Sequence, residues 1–163
     1  MYFIFDFDGT IIEKMKIDYQ NLKNELKQIL DVDNITPMYD IINKNLQKKD
    51  ICFKIIDKYE LEYLSKIKIN KDILKLYQQS NPKIILSRNG SKIISEFLKK
   101  NNLEQPVFIS CRDNCLNLKP HLEQIQIIFN TFKYLNKDNI CIVGDSWHDK
   151  QISKNIGCNF KQV

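Results

Sequence analysis

With 163 residues and a formal charge of +5, the chain is long enough for one domain with a real core, with room for a small inserted subdomain but not comfortably for two full domains. A hydrophobic fraction of 43% and a charged fraction of 28% are those of a soluble globular protein, and no apolar run approaches the ~18 residues of a membrane span. The apolar start lacks a basic leader and meets Asp6 and Asp8 within a few residues, which argues against a secretory signal and for a cytoplasmic location.

In chain order, YFIFDF at residues 2–7 reads as a buried strand, aromatic and β-branched. From Glu13 to about Gln79 the period turns helical. Ile17, Leu22, Leu26, Ile29 and Leu30 form one stripe. Ile41, Ile42 and Leu46 suggest a second, and Ile51, Phe53, Ile55, Ile56, Tyr59, Leu61 and Leu64 a third. Thr36-Pro37 marks a helix start, and residues 71–79 suggest a further short helix. Strands then return. PKIILS at 82–87 is followed by an Asn89-Gly90 turn and the amphipathic helix SKIISEFLKKNNL, and PVFIS at 106–110 is a short strand. Residues 120–136 read as a helix opened by Pro120, NICIVGD at 139–145 as a strand apolar on both faces, and CNFKQV as a possible edge strand after a last short helix.

Alternating strands and helices predict an α/β fold, a three-layer Rossmann-like core whose parallel sheet is covered on both faces. The helical block after the first strand is too long for a simple crossover. It reads as a small helical cap over residues 13–79, inserted between core segments 1–12 and 80–163. Lysines alternate with apolar positions in KMKIDYQNLKNELKQIL, as on a solvated helix face. The positive balance suits mild attraction to an anionic ligand, whereas a nucleic-acid groove calls for a denser basic stripe. The cysteines (Cys52, Cys111, Cys115, Cys141 and Cys158) are odd in number and form no CxxC pair, as expected of free thiols in a reducing compartment.

The polar residues at the strand ends carry the chemistry. The first strand ends in Asp6-Phe7-Asp8-Gly9-Thr10, the second in Ser87-Arg88-Asn89-Gly90, and the strand at 139–145 in Gly144-Asp145-Ser146. In an open parallel sheet these converge on the edge outside the carboxyl ends, and Lys119 can reach that edge from a loop. Gathered carboxylates repel unless a cation joins them, and oxygen ligands without histidine suit Mg²⁺. A hydroxyl from Ser87 and the charge of Lys119 are what a bound phosphate wants.

These residues resemble the motifs of the haloacid dehalogenase superfamily of phosphohydrolases, in the branch with a helical cap after the first strand. DFDGT at 6–10 matches the DxDGT signature, Ser87 the second motif, Lys119 in LKPH the third, and GDSWHD at 144–149 the pattern GDSxxD. The resemblance covers essentially the whole chain. It implies that Asp6 is the nucleophile that forms an aspartyl-phosphate, and that Asp8 protonates the leaving alcohol and then helps deprotonate water. It implies Mg²⁺ held by Asp6, the carbonyl of Asp8, Asp145 and Asp149 (Asp149 directly or from behind the ligands), with the phosphoryl group gripped by Ser87 and Lys119; Thr10 and Arg88 are further candidate phosphate contacts. The implied activity is hydrolysis of a small phosphorylated metabolite by a cytoplasmic protein, monomeric by default, with no membrane partner and no nucleic acid expected. A phosphomutase, a nucleic-acid end phosphatase and a catalytically silent phospho-ligand binder are the alternatives.

Two departures bear on substrate. Arg88 stands where many relatives carry a small or amide residue, and Glu13-Lys14 replaces a frequent Asp-Ser. Lys14, Lys16, Tyr19 and Arg88 are candidate substrate contacts. His121 and His148 read as ordinary exposed residues, and Trp147 as packing beside the site.

Overall fold

Tyr2–Phe5 forms strand β1, and its apolar side chains find strands on both sides. In the computed structural model, which describes residues 1–163, β1 pairs in parallel with β2 (Ile84–Leu86) through Phe5↔Ile85. On its other side it pairs with β4 (Ile140–Gly144) through Phe5↔Val143. β3 (Phe108–Ser110) extends the sheet beyond β2, and β5 (Asn159–Gln162) is the edge strand beyond β4, giving the all-parallel order β3-β2-β1-β4-β5. This is the doubly covered α/β sheet expected from the alternating pattern.

Helices α4 (Lys71–Gln79), α5 (Ser91–Lys100), α6 (Glu123–Thr131) and α7 (Trp147–Ile156) cover its faces. Side chains alternate along a strand, so Ile4, Ile84, Leu86, Ile140 and Ile142 pack with Ile125 and Ile128 of α6 and Ile152 of α7. Phe5 takes the opposite face and meets Tyr77 of α4 edge-on at 5.5 Å, while Phe7 meets Phe97 of α5 at 5.6 Å.

The chain divides into two compact units, Met1–Met15 with Ile67–Val163, and Lys16–Lys66. The second holds α1 (Tyr19–Leu30), α2 (Met38–Lys44) and α3 (Leu46–Tyr63), the last followed by a 3₁₀ turn at Leu64–Lys66. Asp18 caps α1 by accepting the Asn21 N–H at 3.0 Å. Leu22, Leu26 and Leu30, one turn apart, form its own core with Ile35, Ile42, Cys52 and Ile56. Helix α4 lies in the first unit, with the sheet.

Two helices differ from the sequence pattern. Residues 120–136 yield a helix only over Glu123–Thr131. The preceding loop folds back on the helix start, where the Glu123 carboxylate takes the N–H groups of Leu116 and Asn117 at 2.8 and 3.0 Å. In α3 the buried line is Cys52, Ile56 and Glu60, while Leu46 and Ile51 are exposed. Counting only apolar residues hides a face whose third member is a carboxylic acid. No helix is long and apolar enough to cross a membrane.

Ile142 is fully buried at the centre of the sheet, and Leu46 is 70% exposed. Ile142→Ala is expected to lower unfolding free energy by about 3–4 kcal/mol, and Leu46→Ala by under about 0.5 kcal/mol. Guanidinium midpoints of the two variants check this.

Candidate active site

Parallel register aligns the strand ends. The Asp6 N–H bonds the Val143 carbonyl at 2.9 Å and the Ser87 N–H the Ser110 carbonyl at 2.9 Å, so Asp6, Ser87 and Asp145 leave the sheet on one edge. Lys119 meets them there. Its ammonium is almost fully buried and has three acceptors: Asp6 Oδ1 at 2.6 Å, Asp149 Oδ1 at 2.5 Å and the Leu86 carbonyl at 3.1 Å. All three ammonium hydrogens are thereby used.

Asp149 is wholly buried, and its other oxygen closes a capping box at the start of α7 by accepting from the Ser146 N–H at 3.1 Å and hydroxyl at 2.5 Å. A Cβ on Gly144 would collide with this carboxylate, which is why glycine ends β4. Gly9 has φ +83°, and a Cβ there would collide with the carboxylate of Asp145. Asp8 is held by the Met15 N–H, which donates to its Oδ1 at 2.6 Å. The Ser87 hydroxyl donates to Asn89 Oδ1 at 3.0 Å and accepts from the Asn89 N–H at 3.2 Å. Thr10 is fully buried, and its hydroxyl has no partner within the protein.

One oxygen each from Asp6, Asp145 and Asp149 lies within 4.8 Å of the others. Asp149 already engages Lys119 and Ser146 through both oxygens, so Asp6 and Asp145 are the better-placed pair for a cation. Lys14 Nζ lies 3.3 Å from Asp145 Oδ2, an exposed cation already drawn to that carboxylate. Lys119 and Lys14 bring two positive charges to the three carboxylates of Asp6, Asp145 and Asp149. An all-oxygen donor set with surplus negative charge fits a hard divalent ion.

Burial pushes Asp6 up to about 7, against the pull of Lys119 and with the repulsion of Asp149. Lys119, shared between two carboxylates, cannot cancel the desolvation of Asp6. Burial works against the charge of Lys119, but Asp6 and Asp149 outweigh it and its pKa is raised.

Sequence reasoning missed Gln124. It is fully buried in the first turn of α6, where its Oε1 accepts the Lys119 N–H at 2.5 Å and its Nε2 donates to the carbonyls of Ser87 and Ser110 at 2.8 and 3.1 Å. It joins the loops that carry Ser87 and Lys119. The available signal was a polar residue on the apolar face shared with Ile125 and Ile128. His148, expected to be exposed, is half-buried. Its Nε2 lies 2.9 Å from Arg88 Nη1, and its ring stacks on Trp147 at 3.9 Å. Arg88 is therefore brought to the same edge. Lys16 and Tyr19 belong to the second unit.

This geometry, an acidic strand edge of a parallel sheet with a buried lysine, defines a Rossmann-like hydrolase core. A family model described as haloacid dehalogenase-like hydrolase matches residues 3–163, and the chain belongs to that family. Among solved structures, a haloacid dehalogenase-like hydrolase from Bacteroides fragilis is similar with a TM-score of 0.65 at 16% identity, covering 99% of this chain and 87% of that one. The hydrolase YfnB from Bacillus subtilis, described as bound to magnesium, has a TM-score of 0.63 at 16% identity over 99% and 87% of the two chains. A Lactobacillus plantarum protein described as a phosphoglycolate phosphatase has a TM-score of 0.58 at 13% identity over 98% and 84%. No curated protein matches.

Two outcomes follow. Gln124→Leu strands two buried polar groups, the Lys119 N–H and the Ser87 carbonyl, and is expected to lower stability by about 2–3 kcal/mol, read from denaturant midpoints. In EDTA, the raised pKa of Asp6 makes its contribution to stability full below 3.8, the value of an unshifted Asp, and lost as pH rises through about 7. Asp6→Asn should therefore gain in melting temperature over the parent by a few degrees more at pH 8 than at pH 4, as scanning calorimetry would show.

Proposed function

We propose that this hydrolase is a Mg²⁺-dependent phosphomonoesterase acting on a small phosphorylated metabolite through an aspartyl-phosphate on Asp6. The observation that carries it is the ammonium of Lys119 fixed between Asp6 and Asp149, one strand away from the Ser87 hydroxyl. A buried cation beside a carboxylate lets an anionic phosphoryl group approach that carboxylate.

In this reading the charge of Lys119 draws the phosphoryl group in, Lys119 and Ser87 each exchange one of their present bonds for a phosphoryl oxygen, and an oxygen of Asp6 attacks phosphorus. Asp8, oriented by the Met15 N–H, gives its proton to the departing alcohol and then takes one from the water that hydrolyses the acyl-phosphate. Asp6, Asp145 and the Asp8 carbonyl would hold Mg²⁺, which when bound supplies positive charge to the phosphoryl oxygens. Asp149 keeps Lys119 in place. The helical unit at Lys16–Lys66 is the proposed cap, and the setting a cytoplasmic monomer with free cysteines.

With Mg²⁺, the purified protein should release phosphate from p-nitrophenyl phosphate. EDTA should stop this, and Asp6→Asn should lower kcat at least ~10³-fold. Absence of turnover across a panel of phosphate esters, with Mg²⁺ bound by calorimetry, would replace the enzyme with a silent phospho-ligand binder.

A further inference from the structure

Two lysines meet the carboxylates of the strand edge, and they are held in opposite ways. Lys119 is buried, with an acceptor for each ammonium hydrogen. Lys14 reaches Asp145 Oδ2 at 3.3 Å with a side chain that stays 71% exposed. Its backbone, by contrast, is pinned on both sides. The Glu13 N–H donates to the Lys68 carbonyl at 2.9 Å, and the Met15 N–H donates to Asp8 Oδ1 at 2.6 Å. A mobile ammonium on a fixed root stays within reach of one carboxylate and can leave it at little cost, because exposed ion pairs are weak. The carboxylate of Asp145 lies against Gly9, where a Cβ would come within 2.4 Å of Oδ2, the oxygen that Lys14 engages.

We propose that Lys14 is a tethered competitor for the divalent ion at Asp145: its ammonium neutralises that carboxylate until the ion takes its place, and so sets how tightly the ion is held. The inference rests on the metal site of the phosphomonoesterase reading and deepens it. Asp6, Asp145 and Asp149 place one oxygen each within 4.8 Å of the others, so an ion between Asp6 and Asp145 and an ammonium 3.3 Å from Asp145 repel at short range. Lys14 yields by swinging into solvent. Lys119 cannot yield in that way, since its departure would strand the buried carboxylate of Asp149. One lysine therefore belongs to the fixed frame of the site and the other exchanges with the metal. The exchange weakens metal binding, and in return Lys14 eases the mutual repulsion of the carboxylates whenever the ion is absent.

The test titrates Mg²⁺ into the full chain, stripped of metal, by calorimetry at low ionic strength. Lys14→Met should bind Mg²⁺ about 3- to 10-fold tighter than the parent protein, and Lys14→Arg, which keeps the charge, within about twofold of it. The gap between Lys14→Met and the parent should shrink to under about twofold in about 0.5 M KCl, where an exposed pair is screened. Lys137 pairs with Asp138 before the start of β4, at the opposite end of that strand from Asp145, so Lys137→Met removes the same charge without freeing the site and should leave the affinity unchanged. At a subsaturating Mg²⁺ concentration, the rise in melting temperature should be larger in Lys14→Met than in the parent. Equal or weaker affinity in Lys14→Met, or an equal tightening in Lys137→Met, overturns the proposal and leaves the metal site standing. If neither the parent nor Lys14→Met binds Mg²⁺, the metal reading itself fails and the proposal falls with it.

Discussion

The active edge depends on one buried ammonium. Lys119 lies between the carboxylates of Asp6 and Asp149 and donates its third hydrogen to the Leu86 carbonyl. A charge so deeply buried persists only when every donor is matched, because loss of one partner leaves an uncompensated ion in a low-dielectric interior. Three segments are thereby tied together: the end of β1 through Asp6, the end of β2 through Leu86 and the start of α7 through Asp149. Gln124 adds the backbone of Lys119 and the end of β3 to the same network.

That network leaves an electrostatic imbalance, which the chemistry can use. Lys119 cannot serve two carboxylates fully, and burial leaves Asp6 less acidic than an exposed aspartate. Asp145, released from the sheet beside the positive-φ turn at Gly9, adds negative charge that Lys14 only partly meets from solvent. A site built this way attracts positive charge from outside the chain. Fixed donors in a dry site stabilise developing negative charge better than mobile water does, because their dipoles need no reorganisation.

Two kinds of stabilisation divide the molecule. The sheet unit combines an apolar core of Ile4, Ile84, Ile142 and their helical partners with the polar network at one edge. The helical unit has a core of its own, from Leu22 to Ile56, and so keeps its shape through contacts that do not involve Lys119 or its partners. Side chains on such a unit can vary without disturbing the lysine network.

The α/β class and the gathering of Asp6, Asp8, Ser87 and Asp145 at one edge of the sheet were legible in the sequence. Each rests on local information: an apolar run long enough for a strand, followed by polar residues that strand direction sends to one edge. Three features rest on contacts between residues far apart in the chain, and only the tertiary structure decided them. Gln124 becomes a clamp because its amide reaches Lys119, Ser87 and Ser110 together; in sequence it is one polar residue in an amphipathic helix. Asp149 faces inward because Gly144 leaves it space and Lys119 waits there. Arg88 and His148, sixty residues apart, meet only once β2 and β4 flank β1. Hydrophobic period and turn chemistry are properties of neighbouring residues, whereas the matching of a buried donor to its acceptor exists only after the chain has folded.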